Sequence, residues 1–182
     1  FIGIDAEINI STSQENIRLS SHVVLPGQGA FKTCMDGIKK IPGMEDQLNE
    51  FVKVKQRPFL GICVGMQLLA EKSEENGNHQ GLGWIGGTIK KLPSDGIKLP
   101  HMGWNEVKIV NKNSQIKPEE NDYYFVHSYY FDCANSEDIV TETKYGINFP
   151  SIVNKENVYG CQFHPEKSSD QGLNIIKDFI NL

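Results

Sequence analysis

Pro58-Phe59-Leu60-Gly61-Ile62-Cys63-Val64-Gly65-Met66-Gln67-Leu68-Leu69 sets a short apolar strand directly against the start of a helix, with one cysteine at the join. The pattern predicts a buried strand over Pro58–Ile62 and a helix starting over Met66–Glu71. With serine in place of Cys63, Gly61-Ile62-Cys63-Val64-Gly65 is the nucleophile-elbow pattern, a tight strand-to-helix turn that exposes one side chain at the carboxyl end of a sheet. Glycines on both sides let strand and helix approach closely. The amino end of the following helix favours a thiolate, and its first N–H groups can meet a developing oxyanion. Alone, the motif fits equally a structural cysteine among packing glycines.

Upstream, Ile8–Ile10 and His22–Leu25 read as strands, and Lys32–Ile41 and Met44–Val54 have helical spacing, divided by Pro42-Gly43. Alternating strand and helix implies a parallel sheet with helices on both faces. After residue 84 the texture changes. Segments 85–92, 104–110, 123–132, 139–145, 149–154 and 158–163 are short, rich in β-branched and aromatic residues, and read as antiparallel strands and hairpins. Gly172–Leu182 closes the chain as a helix, with Ser169 or Asp170 as a possible cap. The expected fold is α/β: a mixed, mostly parallel central sheet with helices on both faces, plus antiparallel hairpins in the second half.

The 182 residues suit one domain over 1–182, and 18 Lys+Arg against 23 Asp+Glu give a net charge of −5. Short, scattered basic clusters on an acidic chain argue against nucleic acid as a partner. No apolar run approaches the ~20 residues of a membrane span, and no secretion signal is seen. Cys34, Cys63, Cys133 and Cys161 form neither a CxxC pair nor a Cys/His ligand set, so no metal or other cofactor is expected and a reduced, cytoplasmic setting fits.

A thiol nucleophile needs a proton carrier. His164, in Gln162-Phe163-His164-Pro165-Glu166, has the most suggestive setting of the five histidines. If strand geometry persists through Pro165, residues two apart share a side, so Glu166 can orient the imidazole and stabilise its protonated form. In Leu25-Pro26-Gly27-Gln28-Gly29-Ala30-Phe31, glycines flanking one residue permit a flipped peptide whose N–H meets a substrate carbonyl.

These segments resemble the class I, or triad, glutamine amidotransferases. Leu99–Val107 (LPHMGWNEV) and Tyr124–Tyr130 (YFVHSYY) narrow the resemblance to the glutaminase subunits of imidazole glycerol phosphate synthase, in the order that family has them and over essentially the whole chain. The resemblance implies that Cys63 attacks the side-chain amide of L-glutamine, that His164 carries the proton, and that Glu166 holds His164. It implies an oxyanion hole from backbone at Val64 and Gln28, and substrate contacts at Gly27, Gly29, Gln67, His127, Ser128 and Tyr129. It further implies that ammonia passes to a (β/α)8-barrel cyclase subunit in histidine biosynthesis, with His101, Met102, Trp104, Asn105, Tyr124 and Lys167 near the interface.

The His, Gly and Asn of PHMGWN suit a loop, whereas Tyr123–Tyr130 reads equally as a core strand or a contact surface. The family normally opens with a Met-started strand, a glycine-containing loop and a helix ahead of the segment aligned with Phe1. The native amino-terminal strand and helix are therefore expected to be missing. Two alternatives stay open on the sequence: the same glutaminase chemistry serving a sugar-amidinating synthase, and a catalytically silent regulatory subunit.

Overall fold

The computed structural model describes residues 6–182. Helix α1 (Gln14–Leu19) leads to strand β1 (Val23–Gly27), α2 (Phe31–Lys39) and α3 (Met44–Asn49), the last widening into a π turn over Glu50–Val54. Phe31, Met35 and Ile38 are buried along α2 at the spacing of one helical face, and Met44 and Leu48 do the same on α3. Strand β2 (Phe59–Cys63), buried throughout, runs straight into the single turn α4 (Val64–Gln67).

Strands then dominate. They are β3 (Lys72–Ser73), β4 (His79–Gln80), β5 (Gly87–Lys91), β6 (His101–Glu106), β7 (Lys108–Ile109) and β8 (Asp122–His127). After them come β9 (Tyr129–Cys133), β10 (Ile139–Tyr145), β11 (Ile147–Lys155) and β12 (Val158–Cys161), before the closing helix α5 (Ser169–Ile180).

The central sheet has the order β1-β2-β12-β11-β10-β7. It is mixed, as expected, but its parallel part is smaller than expected: β1–β2 and β2–β12 pair parallel, whereas β12–β11, β11–β10 and β10–β7 pair antiparallel. Helices cover both faces. On one, Phe179 of α5 packs against Tyr159 of β12 and His22. On the other, Met66 of α4 lies over Gly160, whose neighbour in the strand is Tyr159. A four-stranded sheet, β4-β3-β5-β9, and the ribbon β6-β8 flank this core.

Several local expectations are corrected. Ile8–Ile10 forms no strand; Ile10 is fully exposed, and among the described residues no strand lies beside it to complete a ladder. The helix expected over Met66–Glu71 starts at Val64 and ends at Gln67. The carbonyls of Leu68, Leu69 and Ala70 are instead taken by the amides of Leu82, Trp84, Ile85 and Gly83. The HMGWN of PHMGWN lies in strand β6 rather than in a loop, with His101, Gly103 and Asn105 of the strand turned inward and Met102, Trp104 and Glu106 outward. Helix α5 begins at Ser169, and neither Ser169 nor Asp170 caps it. Ser168 precedes the helix, but its hydroxyl is engaged elsewhere, donating to the His164 carbonyl and accepting from the Tyr124 amide.

Candidate active site

Cys63 ends β2 with φ +55° and ψ −112°, an unfavourable backbone for a non-glycine residue, and strain of this kind is characteristic of functional turns. Glycine packing enforces it. A Cβ on Gly65 would stand 1.8 Å from the Leu25 carbonyl oxygen, and one on Gly61 would stand 2.5 Å from the Gly65 carbonyl oxygen. The elbow therefore locks β2, α4 and the end of β1 against one another. This closeness brings the Gly27-Gln28-Gly29 segment beside the cysteine.

The Cys63 sulfur is buried. Burial pushes its thiol up to about 11, opposed by a hydrogen bond from the Val64 backbone N–H. A single helical turn supplies that N–H but little macrodipole, so the electrostatic help expected from a longer helix reduces to this one donor. A thiol held neutral needs a base at the moment of reaction.

His164 supplies the geometry of one. Its Nδ1 lies 2.8 Å from Glu166 Oε1, while its Nε2 is buried with no hydrogen-bond partner. With Nδ1–H donated to the carboxylate, Nε2 presents a lone pair. The pairing arises differently from the expected strand alternation. Pro165–Lys167 is a 3-10 turn, which folds Glu166 back beside the ring. The His164 amide donates to the Tyr124 carbonyl (2.9 Å), and Ser168 bridges the same two residues, so this turn is fastened to β8.

A pocket of about 410 Å³ joins these parts. Cys63, Val64 and His164 line it together with Gly27, Gln28, Gly29, Gln67, His127, Ser128 and Tyr129, all of them expected from the sequence. Lys167 also lines it, from the group expected at the partner interface. Glu75, Pro100 and Val126 were not anticipated. Glu75 Oε2 accepts a 2.7 Å hydrogen bond from the Phe31 amide, which holds a carboxylate at the pocket wall. Its sequence setting, Ser73-Glu74-Glu75-Asn76, looks like any solvated turn.

The remaining expected residues lie on the ribbon beside the pocket. Met102 and Trp104 are 63% and 51% exposed, and the Trp104 ring meets Tyr124 edge-on. The Lys167 ammonium sits 6.0 Å from the Tyr124 ring centroid. His101, expected near the interface, does not itself reach the surface. It is 3% exposed, stacked on Tyr145 and Phe125.

His101 belongs to a directed chain of hydrogen bonds. His127 Nδ1 donates to the Tyr129 carbonyl (2.8 Å), so its Nε2 accepts from His101 Nδ1 (2.9 Å), and His101 Nε2 accepts from Asn105 Nδ2 (3.1 Å). Every ring nitrogen is satisfied with both rings neutral. Burial lowers His101 to about 4 and His127 to about 3. The unfolded chain takes up protons near pH 6.5 and the folded chain does not, so stability is full above that pH and falls as pH drops toward 4. We expect denaturant melts between pH 6 and 4 to lose about 1.4 kcal/mol per pH unit for each imidazole kept neutral. Changing both histidines to glutamine should flatten that slope, and an unchanged slope would contradict the assignment.

Comparison with known proteins gives the family. The family model described as glutamine amidotransferase class-I matches residues 2–182. The imidazole glycerol phosphate synthase subunit HisH of Pelagibacter ubique is 44% identical over 179 residues, covering 96% of this chain and 86% of that protein. The subunit of the same name from Rhodospirillum rubrum is 44% identical over 184 residues (98% and 86%). The one from Neisseria meningitidis serogroup B is 43% identical over 190 residues (98% and 87%). Among solved structures, a glutamine amidotransferase superposes with a TM-score of 0.71 at 17% identity, over 93% of this chain and 84% of that one. The glutaminase domain of Trypanosoma brucei CTPS superposes with a TM-score of 0.60 at 18% identity, over 92% and 74%. At such identities these two likenesses speak to the fold alone.

Proposed function

The chain belongs to the class-I glutamine amidotransferases, and from that premise we propose that it is the glutaminase subunit of an imidazole glycerol phosphate synthase, with Cys63, His164 and Glu166 as its catalytic triad. The observation that carries the residue assignment is the shared pocket. A strained cysteine and a histidine with one free, buried nitrogen line the same cavity, and a carboxylate holds that histidine from behind.

In the reaction, the Cys63 S–H proton passes to His164 Nε2 as sulfur bonds to the side-chain carbonyl carbon of glutamine. The carbonyl oxygen takes the negative charge and is met by the Val64 N–H and by backbone at Gln28. Collapse breaks the carbon–nitrogen bond. His164 returns its proton to the leaving nitrogen, which departs as ammonia and leaves a glutamyl thioester. Water then attacks with His164 as base, glutamate leaves, and the thiol is restored. Glu166 fixes the ring orientation and stabilises the imidazolium that forms at each proton transfer.

The substrate's amino-acid end meets Gln67, Glu75 and the His127–Tyr129 backbone. Both amino hydrogens of Gln67 are engaged, one to the Tyr129 carbonyl and one to Gln162 Oε1, each at 3.0 Å. Its oxygen is then the atom left for the substrate, and with the Glu75 carboxylate it suits an α-ammonium group.

Ammonia released in neutral water is mostly ammonium and no longer nucleophilic, so a sheltered path to a second site preserves it. The β6-β8 ribbon supports the place of that path. Val126 lines the pocket, and Tyr124, two residues back on the same strand face, meets Trp104 on the exposed side. A (β/α)8-barrel cyclase would cover Met102, Trp104, Tyr124 and Lys167, while buried His101 and half-buried Asn105 brace the strand beneath. The setting would be the cytoplasm, which suits four free cysteines, and among the described residues no helix is long and apolar enough to cross a membrane.

Reconstitution tests the client. With glutamine as nitrogen source, the chain plus a histidine-pathway barrel cyclase should form imidazole glycerol phosphate, and the chain plus a sugar-amidinating synthase should form no amidinated product. The reverse pattern would overturn the assignment.

A further inference from the structure

Gln162 stands directly after β12, is fully buried, and is anchored by its own amide, which donates to the Ser151 carbonyl at 2.9 Å. Its side chain bridges two residues of the site. Its Oε1 accepts from Gln67 Nε2 at 3.0 Å, and its Nε2 donates to the Cys63 sulfur at 3.8 Å, within the range of an N–H···S contact.

The direction of this bridge is set from outside it. The Tyr129 carbonyl can only accept, so the end of Gln67 that faces it must be the NH2 group. That same NH2 faces Gln162, whose oxygen must therefore turn toward Gln67 and whose NH2 must turn toward sulfur. Reversing Gln162 alone would set donor against donor; reversing both would set the Gln67 oxygen against the Tyr129 carbonyl. A fixed main-chain acceptor thus determines that the nucleophile sees an N–H and not a C=O.

We infer that Gln162 is a positioning residue for the nucleophile: its amide N–H holds the Cys63 sulfur as a hydrogen-bond acceptor and stabilises the thiolate formed when His164 removes the proton. This rests on the glutaminase reading above. A donor to sulfur gains strength as charge builds there, because hydrogen bonds to ionised groups are roughly twice as strong as neutral ones. The contact therefore helps the attacking state more than the resting thiol, which is the condition for accelerating the step. Among the described residues, the other polar contact of the sulfur besides the Val64 N–H is to the Val126 carbonyl at 3.8 Å, an acceptor that favours the thiol form.

Two substitutions in the full chain, assayed with its partner, separate positioning from packing. Gln162→Met keeps the length and removes the donor. Gln162→Glu keeps the shape and places an acceptor against sulfur. Two readouts apply: the pH profile of Cys63 alkylation by iodoacetamide, followed on the Cys63 peptide by mass spectrometry, and the kcat and KM for glutamine.

For Gln162→Met we expect the alkylation midpoint to rise by about one pH unit and kcat to fall about tenfold, with KM within about threefold. Gln162→Glu should shift both further in the same direction. If Met at 162 leaves the alkylation midpoint and kcat unchanged, Gln162 only fills space and the inference is overturned. If Gln162→Met fails to fold, Gln162→Leu, which also lacks the donor and adds no charge, decides alone: a raised midpoint supports the role and an unmoved midpoint overturns it. Failure of the underlying reading looks different, because the unsubstituted complex would then show no Cys63-dependent glutamine hydrolysis.

Discussion

Replacing Cys63 with alanine should reduce glutamine hydrolysis by about 10⁴-fold or more while leaving the fold intact, because removal of a covalent nucleophile takes away the step on which the other catalytic groups act. The side chain lost is small, and the pocket beside it is already open to substrate. The main chain at this position keeps its positive φ, since packing of Gly61 and Gly65 and not the sulfur enforces it. Synthesis of product from added ammonia, which bypasses this subunit's chemistry, should persist in the assembled synthase. Ammonia-dependent synthesis without glutamine-dependent synthesis is the expected signature, measured by glutamate release and product formation on the same preparation. Retained glutamate release would exclude Cys63 as the nucleophile.

Gly65→Ala should act through the fold. The added methyl would lie 1.8 Å from the Leu25 carbonyl oxygen, and both groups are fixed to main chain, so no side-chain rotation relieves the overlap. Strand β1 must move away from α4, breaking the contact that sets Gly27–Gly29 beside Cys63. We expect a loss of more than about 3 kcal/mol, in the range of severe core overpacking. For a chain of this size that is a fall of roughly 6–12 °C in Tm. Gly37→Ala is the control. Gly37 lies within helix α2, a Cβ there meets nothing within 4 Å, and alanine should be neutral or stabilise by up to about 1 kcal/mol. Equal melting temperatures for the Gly65 and Gly37 variants would contradict the packing argument.

The site was legible where its chemistry is encoded locally. Gly61-Ile62-Cys63-Val64-Gly65 specifies an elbow because the glycines are needed within a few residues of the cysteine, and neighbouring positions report that need. His164 and Glu166 are brought together as expected, but by a 3-10 turn, so the right pair emerged from the wrong backbone geometry. PHMGWN misled because its composition is that of a loop. What makes it a strand is its antiparallel register with β8 and the burial of His101 against residues 20 to 50 positions away, which composition does not carry. Glu75 and the Gln67–Gln162 bridge were illegible for the same reason. They acquire meaning from distant chain: Phe31 for Glu75, and Tyr129 and Cys63 for the two glutamines. Ile8–Ile10 has a strand's composition, but composition does not supply a neighbouring strand.

Release of ammonia from glutamine by Cys63 for use by a bound cyclase can be followed with glutamine labelled with ¹⁵N at its side-chain amide, supplied to the complex together with excess unlabelled ammonium at neutral pH. Most of the imidazole glycerol phosphate should carry ¹⁵N, with equimolar glutamate formed, and in Cys63→Ala the label and the glutamate should both be lost while unlabelled product still forms. Mainly unlabelled product from the unsubstituted complex, or labelled product from the Cys63→Ala complex, would contradict this role of Cys63.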